Sequence, residues 1–251
     1  MKTYGFASGK GGVGKSTIVA NLGIALARYK QKTLVVDADI PMPDLGGLLG
    51  VSEPPITLCE VLAKSKKIQQ AIYTRGPNLD VLPSSSSLDS FLQADVRLLK
   101  NVISSIKDQY EFILIDTPSG LNNYVLGALK AAEEIFLVVT PDGPSVANSL
   151  KLKTALEVLE IRTKGVVLNK LRKKRIGKTS QLGKTEVEMR LGGNVISIIP
   201  EDKEIIKSLG SGKPLMVRKP NSNAAMALRT LAKNLIKEVT LSAVVEPKKE
   251  K

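Results

Sequence analysis

The chain predicts an α/β domain, with a mostly parallel sheet of seven to eight strands and helices on both faces. Three observations predict it. Short apolar, β-branched runs recur along the 251 residues, helical patterns separate them, and no linker-like stretch divides the chain. Continuous apolar runs mark strands buried on both faces, and strand–helix alternation is how parallel neighbours are joined. A chain of this length with 43% hydrophobic residues can enclose one sizeable core. Residues 1–240 are therefore read as a single domain and 241–251 as a short tail that ends charged.

Taken in order, the first strand is expected at 4–8, ending in a glycine-rich turn, and a helix follows over 15–29. Strands are expected at 33–37 and 79–82, then one long helix over 87–106. Phe-Ile-Leu-Ile-Asp at 112–116 reads as a buried strand that ends on a carboxylate. A helix at 123–132, a strand at 135–140, a helix at 146–159 and a strand at 165–169 continue the alternation. A short helix at 186–191 leads to a last strand at 195–199. The terminal helix, 223–239, places Ala224, Leu228, Leu231, Leu235 and Val239 at helical spacing, a stripe suited to core packing.

Composition removes several chemistries. The chain has no histidine, and its one cysteine, Cys59, can form neither an internal disulfide nor a thiol metal cluster. Histidine acid–base catalysis, Cys–His nucleophiles and the usual zinc sites are excluded. No run of 18 apolar residues suggests a spanning helix, and the first residues carry no apolar signal core, so a cytoplasmic location is expected. With 37 basic against 24 acidic residues, the net charge of +13 suits either a polyanionic partner or a solvated lysine-rich surface.

The strongest motif is Gly9-Lys10-Gly11-Gly12-Val13-Gly14-Lys15-Ser16, which fits G-x-x-x-x-G-K-[ST] between a strand and a helix. Glycines let the backbone curl so that successive N–H groups can face phosphates, and the helix N-terminus adds its positive end. Lys15 is expected on the β- and γ-phosphates, Ser16 on Mg²⁺ and Thr17 on the α-phosphate. Two decoys lack the first glycine. Before Gly177-Lys178-Thr179 and Gly183-Lys184-Thr185 its place is taken by Arg172 and Lys178.

Carboxylates stand at the matching edge. Asp116 ends one strand and is expected near Mg²⁺, directly or through water. Asp37 and Asp39 end another, so one of them is expected to support the Mg²⁺ shell and the other to orient or deprotonate water. Asp44 reads equally well as a helix cap.

These residues resemble the MinD/ParA family of deviant P-loop ATPases, archaeal MinD proteins in particular. The resemblance rests on Lys10-Gly11-Gly12-Val13-Gly14-Lys15-Ser16, with its extra lysine at the second motif position, and on Val36-Asp37-Ala38-Asp39-Ile40. It extends through Asp116-Thr117-Pro118-Ser119-Gly120-Leu121 and Val167-Leu168-Asn169-Lys170 to Ile199-Pro200-Glu201-Asp202, and reaches about Lys237. It implies ATP/ADP and Mg²⁺ as cofactors and ATP hydrolysis as the activity. It also implies that Lys10 reaches the phosphates of the opposite subunit in an ATP-sandwiched homodimer. Asp39 would activate water, with Asp37 and Asp116 beside Mg²⁺ and Asn169 reading adenine, helped by the backbone around Pro200, Glu201 and Asp202. Hydrolysis would release the dimer, making it a switch for spatial organisation in cell division.

The output of such a switch is open at this point. A membrane-bound form on the inner face would need a strong amphipathic anchor, and the tail, Leu241-Ser242-Ala243-Val244-Val245 and then a proline, is a poor one. Nonspecific DNA binding would use the basic run Lys170, Arg172, Lys173, Lys174, Arg175 and Lys178. A scaffold role toward an activating protein partner, with little turnover, is the third alternative.

Overall fold

The apolar runs form strands because each supplies side chains to both faces of one sheet. In the run at 112–116, Phe112 and Leu114 join one core cluster while Ile113 and Ile115 join another on the opposite face. The computed structural model describes residues 1–85, 87–172 and 181–245. β1 (Lys2–Ala7) leads into α1 (Lys15–Arg28) and β2 (Thr33–Asp37). Three short helices, α2 (Leu45–Leu48), α3 (Leu58–Leu62) and α4 (Ile68–Ala71), precede the hairpin of β3 (Tyr73–Gly76) and β4 (Leu79–Leu82). Then come α5 (Leu88–Gln93), α6 (Leu99–Ser104), β5 (Phe112–Asp116), α7 (Asn123–Leu129) and β6 (Glu134–Val139). α8 (Gly143–Val158), β7 (Thr163–Leu171), α9 (Lys184–Leu191) and β8 (Val195–Pro200) complete the sheet. α10 (Lys203–Gly210), α11 (Leu215–Arg218) and α12 (Asn223–Val245) follow.

The eight strands lie in the order β3-β4-β2-β5-β1-β6-β7-β8, and every neighbouring pair is parallel except β3–β4. From β1 the chain first crosses to β2 and the strands beyond it on one side, then returns through β5 and runs out to β6, β7 and β8 on the other, and a doubly wound sheet opens its ligand crevice at such a reversal. α1 and α12 cover one face, where Leu22 and Leu26 meet Leu228, Leu231 and Leu235. The other face is divided between a cluster beneath α3 and α6 and one beneath α8 and α9. The stripe on α12 is thus core, as its spacing suggests.

Several elements depart from expectation for identifiable reasons. The segment 87–106 is two helices with a 3-10 turn between them. Ala94 is extended, and the Asp95 carboxylate accepts the Arg97 N–H at 3.0 Å, starting a new turn. α8 begins at Gly143, ahead of the expected 146, because Asp142 caps it by accepting the Ser145 N–H at 3.0 Å and Pro144 suits a first turn. β3 has no apolar run to announce it, since it is a short, largely exposed edge strand. α12 continues beyond 240 to Val245.

Candidate functional site

The loop between β1 and α1 is tied down at both ends. The Ser8 hydroxyl donates to the Lys10 carbonyl at 3.0 Å, and the Gly120 N–H donates to the Ser8 carbonyl at 2.9 Å. Gly9 passes so close to α8 that a Cβ there would stand 2.3 Å from the Asn148 carbonyl carbon. Gly14 caps α1 in the left-handed region at φ 93°, and its Cβ would stand 2.6 Å from Asn169 Nδ2. No side chain caps α1. Its first N–H groups, which have no intrahelical acceptor, therefore combine with the helix dipole into a surface for anions.

That surface, residues 11–17, lines a cavity of about 910 Å³, within the usual range for a small-molecule site. Asp39, Asn169, Glu201 and Asp202 line it as well, and Ile205 and Leu209 of α10 form an apolar wall. Lys15, with 5% of its side chain exposed, donates from Nζ to Asp116 Oδ1 at 2.9 Å and lies 3.9 Å from Asp39 Oδ2. Burial pushes the Asp39 carboxyl up to about 6, with Lys15 opposing the shift and Asp116 adding to it.

Asp37 has a different setting. It is fully buried, its Oδ1 accepts the Asp39 N–H at 3.2 Å, and its Oδ2 accepts the Leu45 N–H at 3.0 Å. Both oxygens are thus engaged with the backbone that carries Asp39 and starts α2. Burial, then the nearby Asp116, raises its carboxyl well above the usual carboxylate range. Asp44 sits at the N-cap of α2 with no side-chain cap bond, and lines the cavity.

Asn169 is buried against the loop, and its Nδ2 donates to the Val13 carbonyl at 2.7 Å. The next residue, Lys170, stands at φ 60° and its Nζ donates to the Gly12 carbonyl at 2.7 Å. Glu201 lines the cavity but holds Arg172 at 2.6 Å, and Pro200 ends β8 outside the cavity lining. Asp202 spends its carboxylate on the N–H groups of Glu204 at 3.0 Å and Ala224 at 3.1 Å, tying α10 to α12. Lys10 lies outside the lining, with Nζ 3.6 Å from Asp142. In the basic run, Lys170 and Arg172 are thus engaged with Gly12 and Glu201, whereas Lys173, Lys174, Arg175 and Lys178 lie outside the described residues. α10 lies outside the helices expected from sequence, although Asp202 ahead of Ile205, Ile206 and Leu209 carries a capped amphipathic pattern.

Two buried acceptors test whether the residues suit a nucleotide with Mg²⁺. Among the described residues, Asp116 Oδ2 and Asn169 Oδ1 have no hydrogen-bond partner. Leaving such an atom unsatisfied costs about 1–3 kcal/mol. A carboxylate oxygen suits a hydrated hard cation, and an amide oxygen suits the amino edge of a base. The residues present fit both groups.

Comparison with known proteins agrees. A family model described as an AAA domain matches residues 1–164. An uncharacterised ATP-binding protein of Methanocaldococcus jannaschii is 36% identical over 227 residues, which cover 90% of this chain and 84% of that one. The cell division ATPase MinD of Pyrococcus furiosus superposes with a TM-score of 0.87 and 35% identity over 94% of this chain and 98% of that one. The septum site-determining protein MinD of Pyrococcus horikoshii, complexed with Mg-ADP, gives 0.86 and 34% over 93% and 95%. The family model takes in the loop and the carboxylate edge, the relative and both structures cover at least 90% of this chain, and the chain belongs to the MinD/ParA family of P-loop ATPases.

Proposed function

We propose that the chain hydrolyses ATP in the presence of Mg²⁺ and that its ATP-bound form is a homodimer acting as a positional switch in the cytoplasm or on the inner face of the membrane. The observation that carries this is Lys15, buried at the head of the phosphate loop and held between Asp116 and Asp39. In this reading the N–H groups of residues 11–17 and Lys15 bind the phosphates, and Asn169 selects the base. Ser16 and Asp116 would hold Mg²⁺, which supplies charge neutralisation at the phosphates. Asp37 supports that arrangement by fixing the segment from Asp39 to Leu45. Asp39, at the cavity wall beside Lys15, orients the attacking water and takes its proton. Glu201 and Asp202, which line the cavity, contribute backbone beside the base.

Lys10 supports the dimer. Its ammonium lies against Asp142, outside the cavity its own loop lines, where it can turn toward a second copy. A lysine facing two opposed triphosphates offsets their repulsion. Residues 1–240 act as one folding unit in this reading, with an activating protein partner acting on the dimer.

Phosphate release and sedimentation velocity with Mg-ATP test the proposal. Lys15→Ala is expected to lose nucleotide binding. Asp39→Ala should keep binding, lose hydrolysis by about 100-fold or more, as expected on removing a general base, and remain a dimer. Wild-type turnover in Asp39→Ala would overturn the assignment of the water-activating residue.

A further inference from the structure

We propose that a second cavity, behind the turn that follows α2, binds a small amphiphilic anion: a phosphate or carboxylate head on an apolar body. The cavity is about 680 Å³. Its floor is apolar, built from Ile24 and Ala27 of α1, Leu49, and Leu79 of β4. Val217, 53% exposed on α11, stands at the rim although its neighbours Leu215 and Met216 are buried.

Around this floor stand Arg28, Lys30, Arg75 and Lys213, and among the described residues no acidic one lines it. Among the described residues, none of the four forms an ion pair. Arg28 and Lys30 follow from their place, since cations suit the C-terminal end of α1. Arg75 and Lys213 do not, as they arrive from β3 and from the turn between α10 and α11. Arg75 is docked: its Nε donates to the Leu49 carbonyl at 2.8 Å, and Gly50 turns beside it at φ 72°, where a Cβ would stand 2.8 Å from Nη2. Among the described residues the outer guanidinium nitrogens have no acceptor, and a guanidinium matches phosphate or carboxylate geometry. Four like charges bordering an apolar floor make the cavity favourable for an anion, and the floor then favours an anion with a hydrocarbon body over a bare one.

The cavity is separate from the phosphate loop, although Gly212 borders both. Binding is therefore measured by titration calorimetry on the nucleotide-free full chain, and its outcome is independent of whether the chain hydrolyses ATP. Octyl phosphate, below its micelle concentration, is expected to bind one to one. Inorganic phosphate and octanol should each bind at least about tenfold more weakly, since each offers only half of the chemistry. Lys213→Glu and Arg28→Glu, both exposed positions, should each weaken octyl phosphate about fivefold with melting temperature unchanged. Lys15→Ala should bind it as the wild type does. A parallel sedimentation with phosphatidylglycerol vesicles separates the sources. Vesicle binding that is lost in Lys213→Glu marks a bilayer headgroup as the ligand, and vesicle binding unaffected by that change marks a soluble one. No saturable binding of octyl phosphate, or binding that persists in Lys213→Glu but vanishes in Lys15→Ala, would overturn the proposal.

Discussion

At the scale of single residues, Gly14 answers to two constraints at once. Its φ of 93° is one that only glycine adopts cheaply, and the space a Cβ would need is taken by the Asn169 amide. Gly14→Ala therefore strains the cap of α1 by about 1–2 kcal/mol and pushes Asn169 off the Val13 carbonyl. Titration with a fluorescent ATP analogue should show nucleotide binding lost, while circular dichroism keeps the wild-type secondary structure. Retained affinity would mean that the Gly14–Asn169 contact is incidental. Gly14, Lys15 and Ser16 are legible in sequence because a phosphate loop is contiguous, and Asp116 is legible because it ends an apolar run. Asn169 is reached only through resemblance, since nothing local marks a buried asparagine at a strand end as a loop contact. The link from Lys170 to Gly12 spans 158 positions and leaves no local pattern. The engagement of both Asp37 oxygens by backbone is equally invisible, because the sequence shows two aspartates at one edge without showing which of them faces inward.

At the scale of elements, the long parallel-sheet strands and the two helices that clasp one face were readable, and the small pieces were not. α1 and α12 repeat apolar residues over enough turns for a face to be defined, whereas α2, α4 and α11 are single turns held by their surroundings. The interruption near Asp95 shows the competing effect: a short acidic side chain gives the backbone a cap in place of the next helical bond. α12 is where the helical pattern bears most weight. Leu231, 2% exposed, lies in the cluster between α1 and the sheet. Leu231→Ala should cost about 2–5 kcal/mol through lost burial and the cavity left behind. Urea denaturation should show a lower midpoint with an unchanged slope. A loss below 1 kcal/mol would indicate that α12 packs loosely and that its stripe is available for another surface.

At the scale of the whole molecule, the question is what the loop does beyond holding one nucleotide, and Lys10 separates the possibilities. In the single chain its ammonium pairs with Asp142, with 48% and 40% of the two side chains exposed. Such a pair is worth at most about 1 kcal/mol, so Lys10→Ala should leave folding almost unchanged. If Lys10 instead serves a second copy, symmetry places it twice in the assembly. Each contact to a charged group is worth about 1.5–3 kcal/mol, so the dimer should weaken by about 3–6 kcal/mol, a factor of 100 or more in its dissociation constant. Sedimentation velocity of Lys10→Ala with Mg-ATP should then show a monomer at concentrations where the wild type is dimeric. Nucleotide binding by the isolated chain should persist, because Lys10 does not line its own cavity. A variant that dimerises normally and only binds ATP more weakly would assign Lys10 to its own phosphates and remove the main support for the sandwiched dimer.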